Sequence, residues 1–153
     1  EIQKKIKERS LSGTNEFKRN KKKLIWPVDK GIILSPFGEV NHKNLPGIKI
    51  INNGIEIGVE KNAIIRSIFN GAVTKIIIMP NGLKAVIIRH GEYLSVYSNL
   101  IDTYVQVGQK VITKQPIGVI FTKEKDNSGV LDFQIWKGVE KINPMNWLKS
   151  NSE

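Results

Sequence analysis

Only two histidines and no cysteine occur in this chain, although these residue types most often hold a catalytic metal or act as a general base. His42 lies in a polar segment, whereas His90 ends an apolar, strand-like segment just before a glycine. A catalytic zinc site needs three good ligands and an open position for water, and no HxH, HExxH or HxxxD spacing is present. We therefore expect His90 to be a structural residue that hydrogen-bonds to the backbone.

A series of short motifs runs through the chain in a fixed order. The first are Gly31-Ile32-Ile33-Leu34-Ser35-Pro36-Phe37-Gly38, Asn52-Asn53-Gly54-Ile55-Glu56-Ile57 and Arg89-His90-Gly91-Glu92-Tyr93. They are followed by Val96-Tyr97-Ser98-Asn99-Leu100, Val107-Gly108-Gln109-Lys110-Val111, Ser128-Gly129-Val130-Leu131-Asp132-Phe133-Gln134-Ile135 and Asn143-Pro144. This order resembles the LytM-type (lysostaphin-like) zinc endopeptidases, which cut peptidoglycan cross-links.

The resembling family carries its zinc site on three patterns, HxGxD, YxHL and HLHFE, and every histidine of these patterns is replaced here. The zinc ligands of the family are the His and Asp of the first pattern and the second His of the third, which match Asn52, Glu56 and Asp132. The histidine of YxHL and the first histidine of HLHFE assist the water and the oxyanion. They match Asn99 and Val130.

The resemblance therefore implies that the fold is kept and the zinc chemistry is lost. A neutral amide such as that of Asn52 is a poor zinc ligand, and Val130 has no group that can transfer a proton. Glu56 and Asp132 remain as two carboxylates, but Mg²⁺ or Ca²⁺ would need more oxygen ligands than the sequence offers. We expect no catalytic residue, no metal site and no cofactor, so the domain is predicted not to be an enzyme.

Degenerate LytM domains without the zinc ligands are typical of EnvC-type murein hydrolase activators, which this chain resembles over residues 24–149. The resemblance lies in residues 24–28, in the turn at 89–93, in Asn99 at the YxHL histidine and in residues 136–148. Such activators lie in the bacterial periplasm, bind an autoinhibited cell-wall amidase and displace its inhibitory helix. The resemblance implies the same partner, location and role in cell-wall remodelling and cell division.

The resemblance also places a partner-binding groove at the vestigial active site. Its lining residues would be Asn52, Glu56, Tyr93, Tyr97, Asn99, Val130 and Asp132. Tyr93 and Tyr97 lie in one strand at an even spacing, so they share a face, either as partner contacts or as packing residues on a half-exposed sheet. Without a metal, Glu56 and Asp132 repel each other, so a Lys or Arg of the partner would be favoured beside them.

Short segments rich in Ile and Val, bounded by Gly, Pro or Asn, predict strands through most of the chain. They cover residues 54–59, 63–69, 73–79, 84–90, 93–97 and 131–136. Asn81-Gly82 and Gly91-Glu92 are turn signals, and Asn143 before Pro144 predicts a short helix over 145–149. Many short strands at close spacing predict an all-β sandwich or barrel-sandwich hybrid rather than a βαβ fold.

The positive charge is concentrated at the N-terminus. The formal net charge is +10, and residues 1–23 contribute nine Lys or Arg against three Glu. We expect this segment to be a basic tail with a flexible break over residues 10–15. Ile2 and Ile6 could end a coiled coil that oligomerises or meets a membrane-associated partner upstream. The folded domain then spans residues 24–149, and residues 150–153 form a C-terminal tail.

Other functions stay open at this level. A peptidoglycan-binding module would bind purified cell wall without affecting an amidase, and an active zinc endopeptidase of peptidoglycan would retain stoichiometric metal. A nucleic-acid partner is not expected, because no cluster of aromatic residues accompanies the basic segment and no nucleic-acid motif is present. No uncharged apolar run is long enough to predict a membrane span.

Overall fold

The computed structural model describes residues 13–150 of this chain. The strands are β1 Gly31–Ser35, β2 Gly38–Asn41, β3 Lys49–Asn52, β4 Ile55–Glu60, β5 Ile64–Arg66, β6 Gly71–Ile78, β7 Lys84–His90, β8 Tyr93–Thr103, β9 Lys110–Val111, β10 Pro116–Ile120, β11 Ser128–Lys137 and β12 Glu140–Ile142. A helix, α1, covers residues 13–19, and a 3-10 turn covers Pro144–Asn146. Within 13–150, no helical segment has the length and apolar composition that a bilayer-spanning helix needs.

Ten of these strands form one antiparallel sheet, and this sheet confirms the predicted all-β fold. The strand order is β1-β4-β11-β8-β7-β6-β9, with β1 at one edge and β9 at the other. β10 pairs with β5 and β8, β12 pairs with β11, and β2 and β3 form a separate hairpin. The central strands β4, β11 and β8 are the ones that carry most of the predicted site residues.

Alternation along β4 and β11 separates a core face from an outer face. The core-facing side chains of these two strands are almost fully buried: Ile55, Ile57, Val59, Leu131, Phe133 and Ile135. Burying an aliphatic or phenyl side chain of this size contributes about 1.5–3 kcal/mol. The residues between them, Glu56 and Asp132, point to the other face because successive side chains of a strand alternate. We call the face that carries Glu56, Asp132 and Ser98 the outer face.

Both predicted hairpin turns are confirmed. His90 pairs with Tyr93, so Gly91 and Glu92 form a two-residue turn between β7 and β8. Gly91 has a φ of 70°, which a glycine adopts without steric cost. The turn between β6 and β7 contains Gly82 with a φ of 84°, and its backbone N–H donates to the Met79 carbonyl at 2.8 Å.

The N-terminal part of the described chain, residues 13–19, is more ordered than the sequence predicts. Residues 13–19 are helical where a flexible break is expected over residues 10–15, so that prediction is wrong for residues 13–15. The reason is Phe17, which is fully buried and anchors α1 on the sheet. Residues 13–23 therefore contact the body, through Phe17, Lys21 and Lys22, where the charge pattern predicts a tail. The predicted coiled-coil residues Ile2 and Ile6, and the tail residues 151–153, lie outside the described residues.

The C-terminal helix is shorter than predicted. Asn143 caps it as expected, because its Oδ1 accepts a hydrogen bond from the Met145 backbone N–H at 3.0 Å. The helical turn ends at Asn146, since the next residues pair with the chain near residue 24. Leu24 N donates to the Trp147 carbonyl at 3.2 Å, and Lys149 N donates to the Leu24 carbonyl at 2.8 Å. This parallel bridge holds residues 147–149 in a non-helical conformation.

Candidate functional site

The two carboxylates predicted to survive from the zinc site lie side by side on the outer face. Asp132 on β11 is directly opposite Glu56 on β4 and directly opposite Ser98 on β8. Directly opposed side chains in an antiparallel ladder have Cβ atoms about 4.5–5.5 Å apart. Partial burial, and secondly the negative charge of Glu56, raise the pKa of the Asp132 carboxyl above its ordinary value. The predicted acidic pair is therefore present in the fold.

Replacing Asp132 by Asn is expected to stabilise the protein at pH 7 by about 0.5 kcal/mol, the scale of one cross-strand pair. The raised pKa means that the folded state binds this proton more tightly than the unfolded state. Ionised Asp132 therefore lowers stability above its folded pKa, and this cost disappears as the pH falls through that value. Urea unfolding of Asp132→Asn at pH 7 and pH 4 measures both effects. The exposed variant Asp126→Asn is the control, and equal effects of the two substitutions would contradict the repulsion.

Asn52, which the resemblance matches to the first family zinc ligand, joins the end of β1 to β3. Its Nδ2 donates to Ser35 Oγ at 2.7 Å and to the Pro36 carbonyl at 2.8 Å. Ser35 in turn pairs with Glu56 across β1 and β4, so Asn52 lies beside the acidic pair. Its amide nitrogen is committed to fixing the end of β1 against β3, which is a structural task.

Asn99 and Val130 lie next to each other, as the resemblance implies. The Nδ2 of Asn99 donates to the Val130 carbonyl at 3.1 Å, and Asn99 has a φ of 74°, a conformation that asparagine tolerates better than most residues. Val130 pairs with Gly58. Leu34 lies over that glycine, because a side chain at position 58 would meet Leu34 at 3.2 Å. The aliphatic side chains of Leu34 and Val130 therefore lie together on this part of the outer face.

Tyr93 and Tyr97 do not line the groove, which corrects the prediction for these two residues. They do share a face, but it is the core face. Tyr97 is fully buried, and Tyr93 is 3% exposed. The Tyr97 ring lies 5.3 Å from the Phe133 ring, and Tyr93 stacks on Phe17 at 4.7 Å. Alternation puts Ser98, not the tyrosines, on the outer face beside Asp132.

Three adjoining clefts form one groove along the outer face. The first, about 470 Å³, is lined by Glu56, His42, Leu34 and the β2–β3 hairpin. The second, about 450 Å³, is lined by Ile32, Leu34, Gly58 and Val130. The third, about 300 Å³, is lined by Val130, Asn99 and Leu83. Leu34 lines the first two clefts and Val130 lines the last two, so the three clefts adjoin, and the β2–β3 hairpin lines the first of them.

The donor set of this groove does not fit zinc. Among residues 13–150, no three His, Cys, Asp or Glu side chains come close enough together to hold a metal ion. His42 lines the same cleft as Glu56, but its Nδ1 accepts a hydrogen bond from the Asn44 backbone N–H at 3.1 Å. The clefts are lined by the Glu56 carboxylate, the Asn99 amide and the aliphatic side chains of Leu34 and Val130, and Asp132 lies on the same face opposite Glu56.

His90 lies on the core side of the sheet, as predicted for a structural residue. Its Nδ1 donates to the Asn70 carbonyl at 2.7 Å, and its Nε2 lies 2.8 Å from Ser95 Oγ. Burial lowers the pKa of His90 from 6.5 to about 4. The imidazole is therefore neutral at pH 7 and takes no part in the groove.

Comparisons with known proteins agree with this geometry. The profile of peptidase family M23 matches residues 50–144. No match is found among curated proteins. Among solved structures, Csd3 of Helicobacter pylori is 23% identical with a TM-score of 0.70, and a zinc-containing peptidase of Vibrio cholerae is 22% identical with a TM-score of 0.70. A chain of the SpoIIQ-SpoIIIAH pore-forming complex is 22% identical with a TM-score of 0.67.

The extent of these matches differs between the relatives. The matched region covers 83% of this chain but 35% of the Csd3 chain, and 85% of this chain but 41% of the Vibrio cholerae peptidase. It covers 82% of this chain and 90% of the chain from the SpoIIQ-SpoIIIAH complex. The family profile covers more than half of the sequence and includes β4, β8 and β11. This chain therefore belongs to peptidase family M23.

Proposed function

We propose that this domain is a non-catalytic M23 domain that binds a partner protein in its outer-face groove. The partner is a peptidoglycan amidase, which the domain activates or recruits in the bacterial periplasm during cell-wall remodelling and cell division. One observation carries the proposal: the outer face keeps a groove lined by Asn99 and Val130, and the resemblance matches these two residues, like Asn52, to histidines of the enzymes. A groove that lacks the means of catalysis but keeps an aliphatic centre and two charges is suited to protein recognition.

One structurally similar chain belongs to a complex of two proteins, which supports a role of this domain in protein assembly. The chain of the SpoIIQ-SpoIIIAH complex matches this chain over 90% of its own length, and that chain forms a pore complex with a second protein. In physical terms, an activator needs only to bind the open state of its partner more tightly than the closed state. No cofactor and no covalent step are required of this chain.

The experiment is a peptidoglycan dye-release assay with each amidase of the source bacterium, with and without this chain. We expect one amidase to be accelerated and the chain alone to release nothing. The double variant Glu56→Gln/Asp132→Asn is expected to weaken the activation about tenfold, because it removes the charges offered to a basic residue of the amidase. Glu124→Gln/Glu140→Gln removes two exposed charges outside the groove and should activate normally. Acceleration of no amidase would overturn the proposed function.

Metal content tests the non-catalytic part separately. After the chain has been soaked in zinc and desalted, elemental analysis is expected to find far less than one zinc per chain. Retention of one zinc per chain, together with peptidoglycan cleavage by the chain alone, would instead identify an active zinc endopeptidase.

A second candidate function is direct peptidoglycan binding without an amidase. It is favoured by the basic residues Lys18, Arg19, Lys21 and Lys23, which α1 and the segment after it hold on the body, because such a surface attracts an acidic wall polymer. Co-sedimentation with purified cell wall separates the two functions. Salt-sensitive binding to the wall with no effect on any amidase would favour this second function.

A further inference from the structure

We infer that the outer face of β4 binds an extended segment of the amidase in which a large apolar residue stands between two basic residues, each two positions away from it. This inference rests on the proposed function and specifies the partner that it requires. Glu56, Gly58 and Glu60 lie on the outer face, because successive positions of a strand alternate and the residues between them are buried in the core. The face therefore offers a carboxylate, a position without a side chain and a second carboxylate.

Gly58 forms the floor of a hollow between these carboxylates. It lies directly opposite Ile32 of β1 and Val130 of β11, and these residues line one cleft of about 450 Å³ together with Leu34. Ile32 is 66% exposed and Leu34 is 44% exposed, so the aliphatic walls of the hollow are open to solvent. An apolar cleft within a polar rim is where a partner typically places an anchoring side chain. The hollow therefore favours a large apolar residue of the amidase.

A bulge in β1 directs Leu34 to the hollow. Ile33 and Ser35 pair with successive residues of β4, so Leu34 is the extra residue of β1. A side chain at position 58 would meet the end of the Leu34 side chain at 3.2 Å. Leu34 also lines the adjoining cleft that contains Glu56. The hollow and this glutamate are therefore parts of one continuous surface.

The carboxylates beside the hollow give this surface a negative charge. Within residues 13–150, neither Glu56 nor Glu60 forms an ion pair with a lysine or arginine. Asp132 lies directly opposite Glu56 and adds a third carboxylate. Lys30 and Lys43 line the two clefts without pairing with these groups. In a chain with a formal net charge of +10, this surface is locally acidic, so it favours basic residues of the partner.

The spacing of the three positions fits an extended segment. Residues two apart in a strand are separated by about 6.6 Å, so Glu56 and Glu60 are about 13 Å apart along β4. An extended partner has the same rise, so its apolar residue reaches the hollow when its two basic residues reach the two glutamates. In a helix, residues two apart do not face the same side, so a helix with this sequence pattern would present only part of the motif.

Gly58→Val tests the hollow, because the valine side chain would occupy it. The φ of Gly58 lies outside the left-handed region, and valine suits a strand better than glycine, so the fold should be kept. The new side chain would meet Leu34, whose exposed end can shift to make room. We expect amidase activation to fall about tenfold, while the melting temperature stays the same or rises.

Ile32→Ser and Ile112→Ser form a matched pair, because both isoleucines are 66% exposed. Ile32 lines the hollow, whereas Ile112 follows β9 at the other edge of the sheet. Ile32→Ser is expected to weaken activation about tenfold, and Ile112→Ser should activate normally. If the wild-type chain, Ile32→Ser and Gly58→Val accelerate the amidase equally, the inference is wrong and the proposed function stands.

Glu60→Lys tests the second carboxylate. It places a cation where we expect a basic residue of the amidase, so activation should fall about tenfold. Glu140→Lys makes the same change at an exposed position of β12 and should leave activation unchanged. An equal loss in both variants would trace the effect to net charge and would overturn the role of Glu60.

A short peptide tests the binding chemistry without any amidase. The probe is acetyl-Lys-Ala-Leu-Ala-Lys-amide, and its control is the isomer acetyl-Lys-Leu-Ala-Ala-Lys-amide, whose leucine points away from the lysines when the peptide is extended. In an NMR titration, the probe should shift the amide signals of Gly58, Glu60 and Val130 several-fold more than the isomer does. Equal shifts with both peptides, or none with either, would overturn the inference. Binding of the probe as expected, with no amidase accelerated, would support the motif and overturn the amidase as its source.

Discussion

Phe17→Ala is expected to lower the free energy of unfolding by about 3–5 kcal/mol, the range for removing a buried phenyl group. Phe17 is fully buried, and its ring centroid lies 4.7 Å from that of Tyr93, 4.9 Å from His90 and 5.0 Å from Trp147. Alanine would leave a cavity between elements that are far apart in sequence. Urea unfolding followed by tryptophan fluorescence measures the change, because Trp147 lines the cavity.

Lys18→Ala is the control for Phe17→Ala, since it alters the next residue of α1, which is exposed. It should change stability by less than about 0.5 kcal/mol. A loss below about 1 kcal/mol for Phe17→Ala would mean that α1 is a dispensable tail, as the charge pattern alone suggests. In that case the folded domain would begin near Leu24, and the aromatic cluster would be stable without the helix.

The sequence predicts most of the sheet because local signals and the fold agree there. Alternation of Ile with polar residues marks β4, and Asn81-Gly82 and Gly91-Glu92 mark the turns that fix the pairing of β6, β7 and β8. The glycine of the Asn52–Glu56 motif also has a local reason. A side chain at Gly54 would collide with the Phe133 carbonyl of the neighbouring strand, so the motif keeps a glycine there.

The sequence does not predict α1, because its burial depends on distant residues. A single Phe17 among lysines gives no helical periodicity, and the pocket that receives it is built from Phe69, His90, Tyr93 and Trp147. The exposed apolar edge at β1 is also missed, since Gly-Ile-Ile-Leu-Ser is equally compatible with a buried strand. Only the sheet order reveals that this strand is at the edge.

The sequence correctly predicts which strands carry Glu56 and Asp132, but not which way the tyrosines of β8 point. The resemblance indicates the strands that carry Glu56 and Asp132. The antiparallel register of β4 and β11 then places the two residues opposite each other. For β8, alternation establishes that Tyr93 and Tyr97 share a face but leaves open which face it is. Apolar residues occur on both sides of that strand, and the hydrogen bond from Ile68 N to Tyr97 Oη at 3.1 Å identifies the core side.

Ser95→Ala is expected to cost about 2–4 kcal/mol, because it breaks a buried hydrogen-bond chain whose directions are fixed. The Asn70 carbonyl can only accept, so His90 Nδ1 carries the proton and Nε2 accepts from Ser95 Oγ at 2.8 Å. Ser95 Oγ then accepts from the Tyr97 hydroxyl at 2.8 Å. Alanine leaves Nε2 without a donor, which costs about 1–3 kcal/mol when buried. It also removes one hydrogen bond of the Tyr97 hydroxyl, worth about 0.5–1.5 kcal/mol, although Ser67 remains a side-chain partner of that hydroxyl.

His90, which belongs to this series of hydrogen bonds, makes the stability of the protein depend on pH. Burial lowers the pKa of His90 from 6.5 to about 4, so between these values the unfolded state binds the proton and the folded state does not. Stability is therefore full above about pH 6.5 and is lost as the pH falls towards 4. By linkage, His90 alone removes about 3 kcal/mol between pH 7 and pH 4.

Urea unfolding across that pH range separates His90 from the other titrating groups. The slope should persist in His42→Gln, which alters the exposed histidine-containing loop, and should decrease in His90→Asn, which keeps a donor and an acceptor but does not titrate in this range. An unchanged slope in His90→Asn would contradict the assignment. The His90 ring stacks on Phe17 of α1. Protonation of His90 would therefore place a positive charge beneath α1. Acid should therefore loosen that helix before it melts the sheet, and hydrogen exchange at the amides of residues 14–19 would report this first.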